Sequence, residues 1–203
     1  LSVVFILAVV TVEEMFGQQL GAIYWESHPE HRAEIAAASD GLPAWFRETN
    51  LLDLLEETLR GREEELKARK VSAQVEAGAK DPVVFADPEQ LKQVFFNVIG
   101  NAIDAMGKDP KLRVITSGDD ENVYVQFVDS GVGIAKEDVP KVFEPYYTTK
   151  KGGHGIGMMI VYRIMRDHGG DVGIDSKPGA GTIVTLRLPR KNRRMRLLEE
   201  SKI

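Results

Sequence analysis

The sequence predicts an α+β fold: a mixed, mostly antiparallel sheet covered by about three helices, a two-layer α/β sandwich. Three observations carry this. Apolar residues recur at three- and four-residue spacing over helix-length stretches. Short runs rich in Val, Ile and Thr come in pairs joined by Gly-, Pro- or Asp-containing turns, as hairpins do. The two signals do not follow the regular strand-helix-strand alternation of a doubly wound parallel sheet.

Residues 1–47 read as helix-rich but irregular. Val9, Val12, Phe16, Leu20 and Ile23 form an apolar stripe, with breaks at His28-Pro29 and Gly41-Leu42-Pro43. The first twelve residues are almost wholly apolar, yet a membrane-spanning helix needs about 20. Glu13 and Glu14 end the run, which has no basic leader and no small-residue cleavage site. A buried helix or strand is preferred to the last turns of a longer membrane helix.

Residues 48–189 carry the main domain. Residues 51–68 predict one helix, and 71–75 and 83–86 predict strands around a turn at 78–82. Asp87-Pro88 sets an N-cap before a proline at the first helical position. The helix it opens runs to about Met106 and stops at Gly107. Residues 112–116 and 123–128 predict a hairpin. A glycine-rich stretch leads into a helix from about Gly157 to His168, read as a C-terminal residue favoured by the helix dipole. Residues 171–175 and 182–188 predict the last hairpin, turning at Lys177-Pro178-Gly179. Residues 190–203 form a basic tail, with five cations from Arg190 to Arg196.

Composition narrows the classes. Hydrophobic residues at 43% and charged residues at 28% are globular, not disordered. A net charge of −5 argues against a general nucleic-acid binder and makes a solvated tail the better reading of residues 190–203. The chain has no cysteine, which excludes disulfides, zinc-thiolate sites and a cysteine nucleophile.

The helix after Asp87 is the first place with chemistry. At about 100° per residue, Leu91, Val94, Val98, Ala102 and Ala105 share one arc. Gln93, Asn97, Asn101 and Asp104 share the arc beside it. Asparagine is a poor helix-interior residue, so two of them four apart are either a solvated flank or a site. An amide oxygen is a hard donor that suits Mg²⁺. Next, Asp129-Ser130-Gly131-Val132-Gly133-Ile134 follows a strand. Its carboxylate can accept from an exocyclic amine such as that of adenine, and its glycines let the backbone turn beside a flat ring. An ordinary turn is the competing reading. Then Lys150, Lys151 and four glycines up to Gly157 open a helix, where backbone N–H groups bind phosphate. The pattern fits neither the dinucleotide fingerprint nor the P-loop. Gly179-Ala180-Gly181-Thr182 starts the last strand and alone reads as a hairpin turn.

The order of these segments is what identifies them. The stretch 51–189 resembles the ATP-binding catalytic domain of sensor histidine kinases, in the superfamily of gyrase, heat-shock-chaperone and histidine-kinase ATPases. Residues 93–105 look like the family's N box, 129–134 like the first glycine box, and 143–150 like the F box. Residues 153–158 look like the second glycine box and 179–182 like the third.

The resemblance implies a Bergerat-type ATP-binding fold, with ATP and Mg²⁺ as cofactors. It implies that Asn101 ligates the metal, with Asn97 supporting nucleotide or metal and Asp104 beside them. Asp129 binds the adenine amine, aided by Thr182, and Gly131, Gly133 and Ile134 shape that pocket. Residues 144–154 form a lid, packed or hinged by Phe143. Lys150 contacts phosphate, and Gly153, His154, Gly155, Ile156, Gly157 and Met158 bring the next helix to it. Met158 and Met159 stand where smaller or branched residues are commoner in the family and are read as core. In the hydrolysing relatives the residue four before the metal-binding asparagine is typically Glu. Here it is Asn97, and a neutral amide takes no proton at pH 7. That favours phosphoryl transfer over hydrolysis and makes Asn97, Asn101 and Lys150 the catalytic set.

The implied role is transfer of the γ-phosphoryl of Mg-ATP to a histidine, then to a response regulator. The full-length protein is expected to be a homodimer and the domain cytoplasmic. No nucleic-acid partner is expected, and membrane contact only through an N-terminal region. The family's acceptor box, His-Glu or His-Asp followed by Asn-Pro or Thr-Pro, is not found; His28 and His31 match it poorly. Two other readings stay open: a serine kinase of the same fold, and a non-catalytic nucleotide-binding module.

Overall fold

The computed structural model describes residues 46–150 and 153–190. The expectations for residues 1–45, for Lys151 and Gly152, and for the tail beyond Arg190 lie outside these residues.

Asn50 caps the first helix, its side chain accepting from the Leu52 N–H at 3.0 Å. The helix expected over 51–68 is two: α1 (Leu51–Gly61) and α2 (Glu63–Ala68). Gly61 is a weak helix former. Arg62 leaves helical geometry at φ −112° and ψ 12°. Three glutamates then open α2, where the helix dipole favours them. Arg62 also holds α1 against the later helix, donating to the Phe96 carbonyl at 2.9 Å and lying 4.2 Å over the Phe96 ring.

Before α1 lies β1 (Arg47–Asn50), a strand absent from the sequence-based expectation. It pairs antiparallel with β3 (Val83–Ala86). β3 therefore does not form a hairpin with β2 (Ser72–Ala77). The reason is where the backbone groups go. Ser72 N–H donates to Pro110 and Gly78 N–H to Thr116, which draws β2 alongside β4 (Lys111–Gly118) in parallel register. The Pro82 carbonyl instead accepts from Leu51 at 3.0 Å, which steers β3 to the start of α1. Arg47 thus pairs within the domain expected to begin at residue 48.

The remaining elements follow expectation closely. Asp87 caps α3 (Pro88–Ala105), accepting from Glu89 and Gln90 with proline at the first helical positions. β4 and β5 (Asn122–Asp129) form a hairpin. Asp119 closes its turn by accepting from Glu121 and Asn122. A short 3₁₀ turn (Pro140–Phe143), unforeseen in the sequence, precedes α4 (Gly157–Asp167). β6 (Asp171–Lys177) and β7 (Gly181–Pro189) close the chain as a hairpin. The main sheet has the order β2-β4-β5-β7-β6, antiparallel except for β2 with β4.

Alternation along the strands turns Leu112, Val114, Val125, Phe127, Val184 and Leu186 toward the helices. There they meet Leu51, Leu55, Phe95, Ile99, Val161 and Met165 in one core. The arc read from the α3 sequence is buried as expected at Leu91, Val94, Val98 and Ala102. His168, just past α4, differs from its reading. It is 1% exposed and stacks on Phe46 at 4.8 Å. Its Nε2 accepts from Asp87 N–H at 3.0 Å, and Nδ1 donates to the Ile164 carbonyl at 2.7 Å. A ring nitrogen that accepts must carry a lone pair, so this is a neutral, buried histidine rather than a dipole-paired cation. It ties the end of α4 to the cap of α3.

Candidate active site

The same alternation that builds the core delivers Asp129. It follows Val123, Val125 and Phe127 on the helix-facing side of β5, at the strand's end. Thr182 holds the opposite position on β7, directly across the ladder. Both are buried, at 7% and 6% exposed. Asp129 Oδ1 accepts from Gly131 N–H at 2.8 Å and from Thr182 N–H at 3.2 Å. Both bonds fall on one oxygen, so Oδ2 is the atom left for a ligand. Burial pushes the Asp129 carboxyl above its ordinary range, and the two N–H donors oppose that shift.

The turn after Asp129 lies against the end of α3. Val132 N–H donates to Ala105 O at 3.0 Å, and the Val132 carbonyl accepts from Gly179. Gly133 sits at φ +71°, and a Cβ there would lie 2.1 Å from the Lys177 carbonyl. No side chain fits, so the backbone passes between two loops only because residue 133 is glycine. Ile134 N–H donates to Ser176 Oγ at 2.8 Å. Ser176 Oγ in turn lies 2.9 Å from Thr182 Oγ1 and donates to Gly181 O. Ser176 joins the two glycine turns and is not foreseen in the sequence. Its signal, a serine in an exposed hairpin strand, is indistinguishable there from a solvated one.

On α3, the i, i+4, i+7 spacing brings Asn97, Asn101 and Asp104 to one side, as expected. Asn97 Nδ2 is buried and has no hydrogen-bond partner. A native buried amide without a partner costs about 1–3 kcal/mol, which marks the group as waiting for something. Gly157, the first residue of α4, stands opposite: a Cβ there would lie 3.7 Å from Asn97 Oδ1. The start of α4 thus lies beside the middle of α3, and the turn after Asp129 beside its end.

Lys150 reaches across to this face. Its Nζ donates to Asn101 Oδ1 and to Asp104 Oδ2, each at 2.8 Å. Arg69 approaches Asp104 from the other side at 3.6 Å. Arg69, past the end of α2, is also unforeseen: nothing in its local sequence links it to residue 104.

The other expected positions fall as follows. Phe143 packs on Tyr162 of α4, ring centroids 5.7 Å apart. Gly153 N–H donates to Lys150 O at 3.2 Å. His154 and Ile156 are exposed. Gly155 takes φ +66°, where a Cβ would come within 2.4 Å of the Tyr146 backbone. The side chain of Met158 is in the core.

Residues 86–192 match the family described as histidine kinase-, DNA gyrase B- and HSP90-like ATPases. The sensor histidine kinase ZraS of Escherichia coli K12 is 34% identical over 140 residues, 69% of this chain and 30% of that protein. The chain therefore spans less than a third of that curated relative. The nucleotide-free catalytic domain of histidine kinase ThkA superposes with a TM-score of 0.67 at 31% identity, covering 72% of this chain and 96% of that one. ThkA in complex with the response regulator protein TrrA gives a TM-score of 0.63 at 28% identity, covering 72% and 42%.

Proposed function

This chain belongs to the histidine kinase-, DNA gyrase B- and HSP90-like ATPase family, and from that premise we propose that it is the ATP-binding catalytic domain of a two-component sensor histidine kinase. The observation that carries the reading is Asp129. A carboxylate buried at a strand end, with one oxygen satisfied by the backbone and one left over, is costly unless a ligand uses it. The adenine amine is the donor that position suits, with Thr182 and Ser176 beside it. The turn through Gly133 would lie against the flat ring.

The α3 face fits the phosphates and a magnesium ion. Asn97 offers an unpartnered buried amide, and a cation, the Lys150 ammonium, already rests on Asn101 Oδ1. Asn101 would hold the metal, which when bound neutralises charge on the phosphates. Lys150 and the first N–H groups of α4 would orient the γ-phosphoryl. The acceptor's ring nitrogen then attacks phosphorus as the β–γ bridging bond breaks, leaving ADP. Asn97 supplies no base for water, so the site favours an acceptor brought to it. That acceptor is a histidine outside the described residues, and the phosphoryl passes on to a response regulator. The ThkA–TrrA complex supports that partner. Among the described residues no helix is long and apolar enough to cross a membrane. We place the domain in the cytoplasm, in a protein that works as a homodimer.

The test is γ-labelled ATP with an added helical hairpin carrying a histidine acceptor box. Acid-labile label on the hairpin is expected. Acid-stable label would instead point to serine or threonine transfer, and a bound nucleotide with no transfer to a non-catalytic module.

A further inference from the structure

The bridge from Lys150 to α3 puts a positive charge on the one oxygen expected to face the metal. Its Nζ makes two bonds of 2.8 Å, to Asn101 Oδ1 and Asp104 Oδ2, residues 49 and 46 positions earlier in the chain. Asp104 is flanked by a second cation, Arg69, at 3.6 Å. Both Lys150 and Asp104 are partly exposed, at 39% and 41%, so the bridge is weak enough to exchange. From this we propose that Lys150 is a built-in stand-in for the magnesium ion, held over Asn101 by Asp104 until a metal–nucleotide complex displaces it.

The proposal rests on the nucleotide-binding reading above and deepens it. The amide oxygen has two lone pairs, but an ammonium and a metal ion both at bonding distance from it would repel each other at close range. That repulsion drives Lys150 off Asn101 as the metal enters. Without metal, the ammonium remains beside the phosphates and supplies the positive charge itself. Lys150 is thus a positioning residue whose place reports whether metal is bound. Asp104 has the matching role: it parks the lysine and itself remains off the metal. A plain phosphate contact would behave differently, since it would add the same affinity with or without metal.

The experiment measures ADP binding to the full 203-residue chain by calorimetry. It is run in EDTA and in saturating Mg²⁺, for wild type and Lys150→Met. The quantity read is the ratio of the metal-free to the metal-bound dissociation constant. Loss of the stand-in should weaken metal-free binding more than metal-bound binding. The ratio should then rise about two- to fivefold, the scale of one partly exposed ion pair. A second readout needs no nucleotide. The Asn101 side-chain amide resonances should move in Lys150→Met and in the same sense in Asp104→Asn, since both release the lysine. A ratio unchanged in Lys150→Met, with both affinities falling equally, would overturn the proposal and leave a plain phosphate contact. Asn101 resonances that ignore both substitutions would overturn it too. Failure of folded wild type to bind ADP at all overturns the nucleotide reading first, and this inference with it.

Discussion

At the scale of single residues, the site is built from groups that the fold alone would not choose. Asp129 is the clearest. Its carboxyl is held above the ordinary range by burial, so the folded state binds a proton more readily than the unfolded chain. The resulting stability is present below the ordinary Asp range and is lost as pH rises through the raised folded value. Asp129→Asn removes this penalty while its Oδ1 still accepts from Gly131 and Thr182. Urea midpoints should therefore favour Asp129→Asn increasingly as pH climbs above the ordinary Asp range. The same change replaces Oδ2 with a donor that would face the amine of an adenine bound as proposed. Nucleotide affinity should fall at least about tenfold, as expected on losing a charged hydrogen bond. A variant that gains stability and loses binding marks a functional residue; one that loses both marks a structural one. Gly133 behaves oppositely. Its φ of +71° and the 2.1 Å approach to Lys177 mean that Gly133→Ala should cost stability and binding together, by roughly 2 kcal/mol or more in a denaturant titration. Asp129 and Gly133 are both legible in the sequence, as a carboxylate closing an apolar strand and a glycine two residues beyond Gly131. Ser176 is not, because its value lies in contacts to residues 134 and 182 that no local pattern encodes.

At the scale of elements, α3 is the frame. Its cap, its apolar arc and its polar flank are all readable, since each depends on spacing within one helix. Pairing between distant segments is not. β1 is only four residues long, and its partner β3 lies beyond two helices. β2 and β3 look like a hairpin locally and are separated only because Gly78 and Pro82 give their backbone groups to different partners. His168 belongs to the same class. Its links to Asp87 and Phe46 cross some 80 and 120 residues. His168→Phe would keep the stacking surface but leave the buried Asp87 N–H without an acceptor. It should lower unfolding free energy by about 1–3 kcal/mol. Asp87→Ala, which removes the α3 cap, should cost about 1 kcal/mol. The two should not add, because both act on the same helix start. A double-mutant cycle by denaturant unfolding checks this. Strict additivity would show that His168 packs without supporting the cap.

At the scale of the molecule, one mostly antiparallel sheet and its helices set the end of β5 and the glycine turns against α3 and place the start of α4 beside it. The order of the five sequence segments makes the family legible in the amino-acid sequence, although each alone reads equally well as a turn or a flank. The fold adds what order could not: a carboxylate with one free oxygen, an unpartnered amide and a lysine bridging to Asn101 and Asp104 of α3. Together they make nucleotide binding the central claim. The most direct measurement is calorimetry of ATP with Mg²⁺ on wild type, Asp129→Ala and Asn101→Ala. Binding in the micromolar range, about −8 kcal/mol, is expected for wild type. It should be lost in Asp129→Ala and lose its magnesium dependence in Asn101→Ala. A folded wild type that binds no ATP, or an Asp129→Ala variant that binds as well as wild type, would contradict the account.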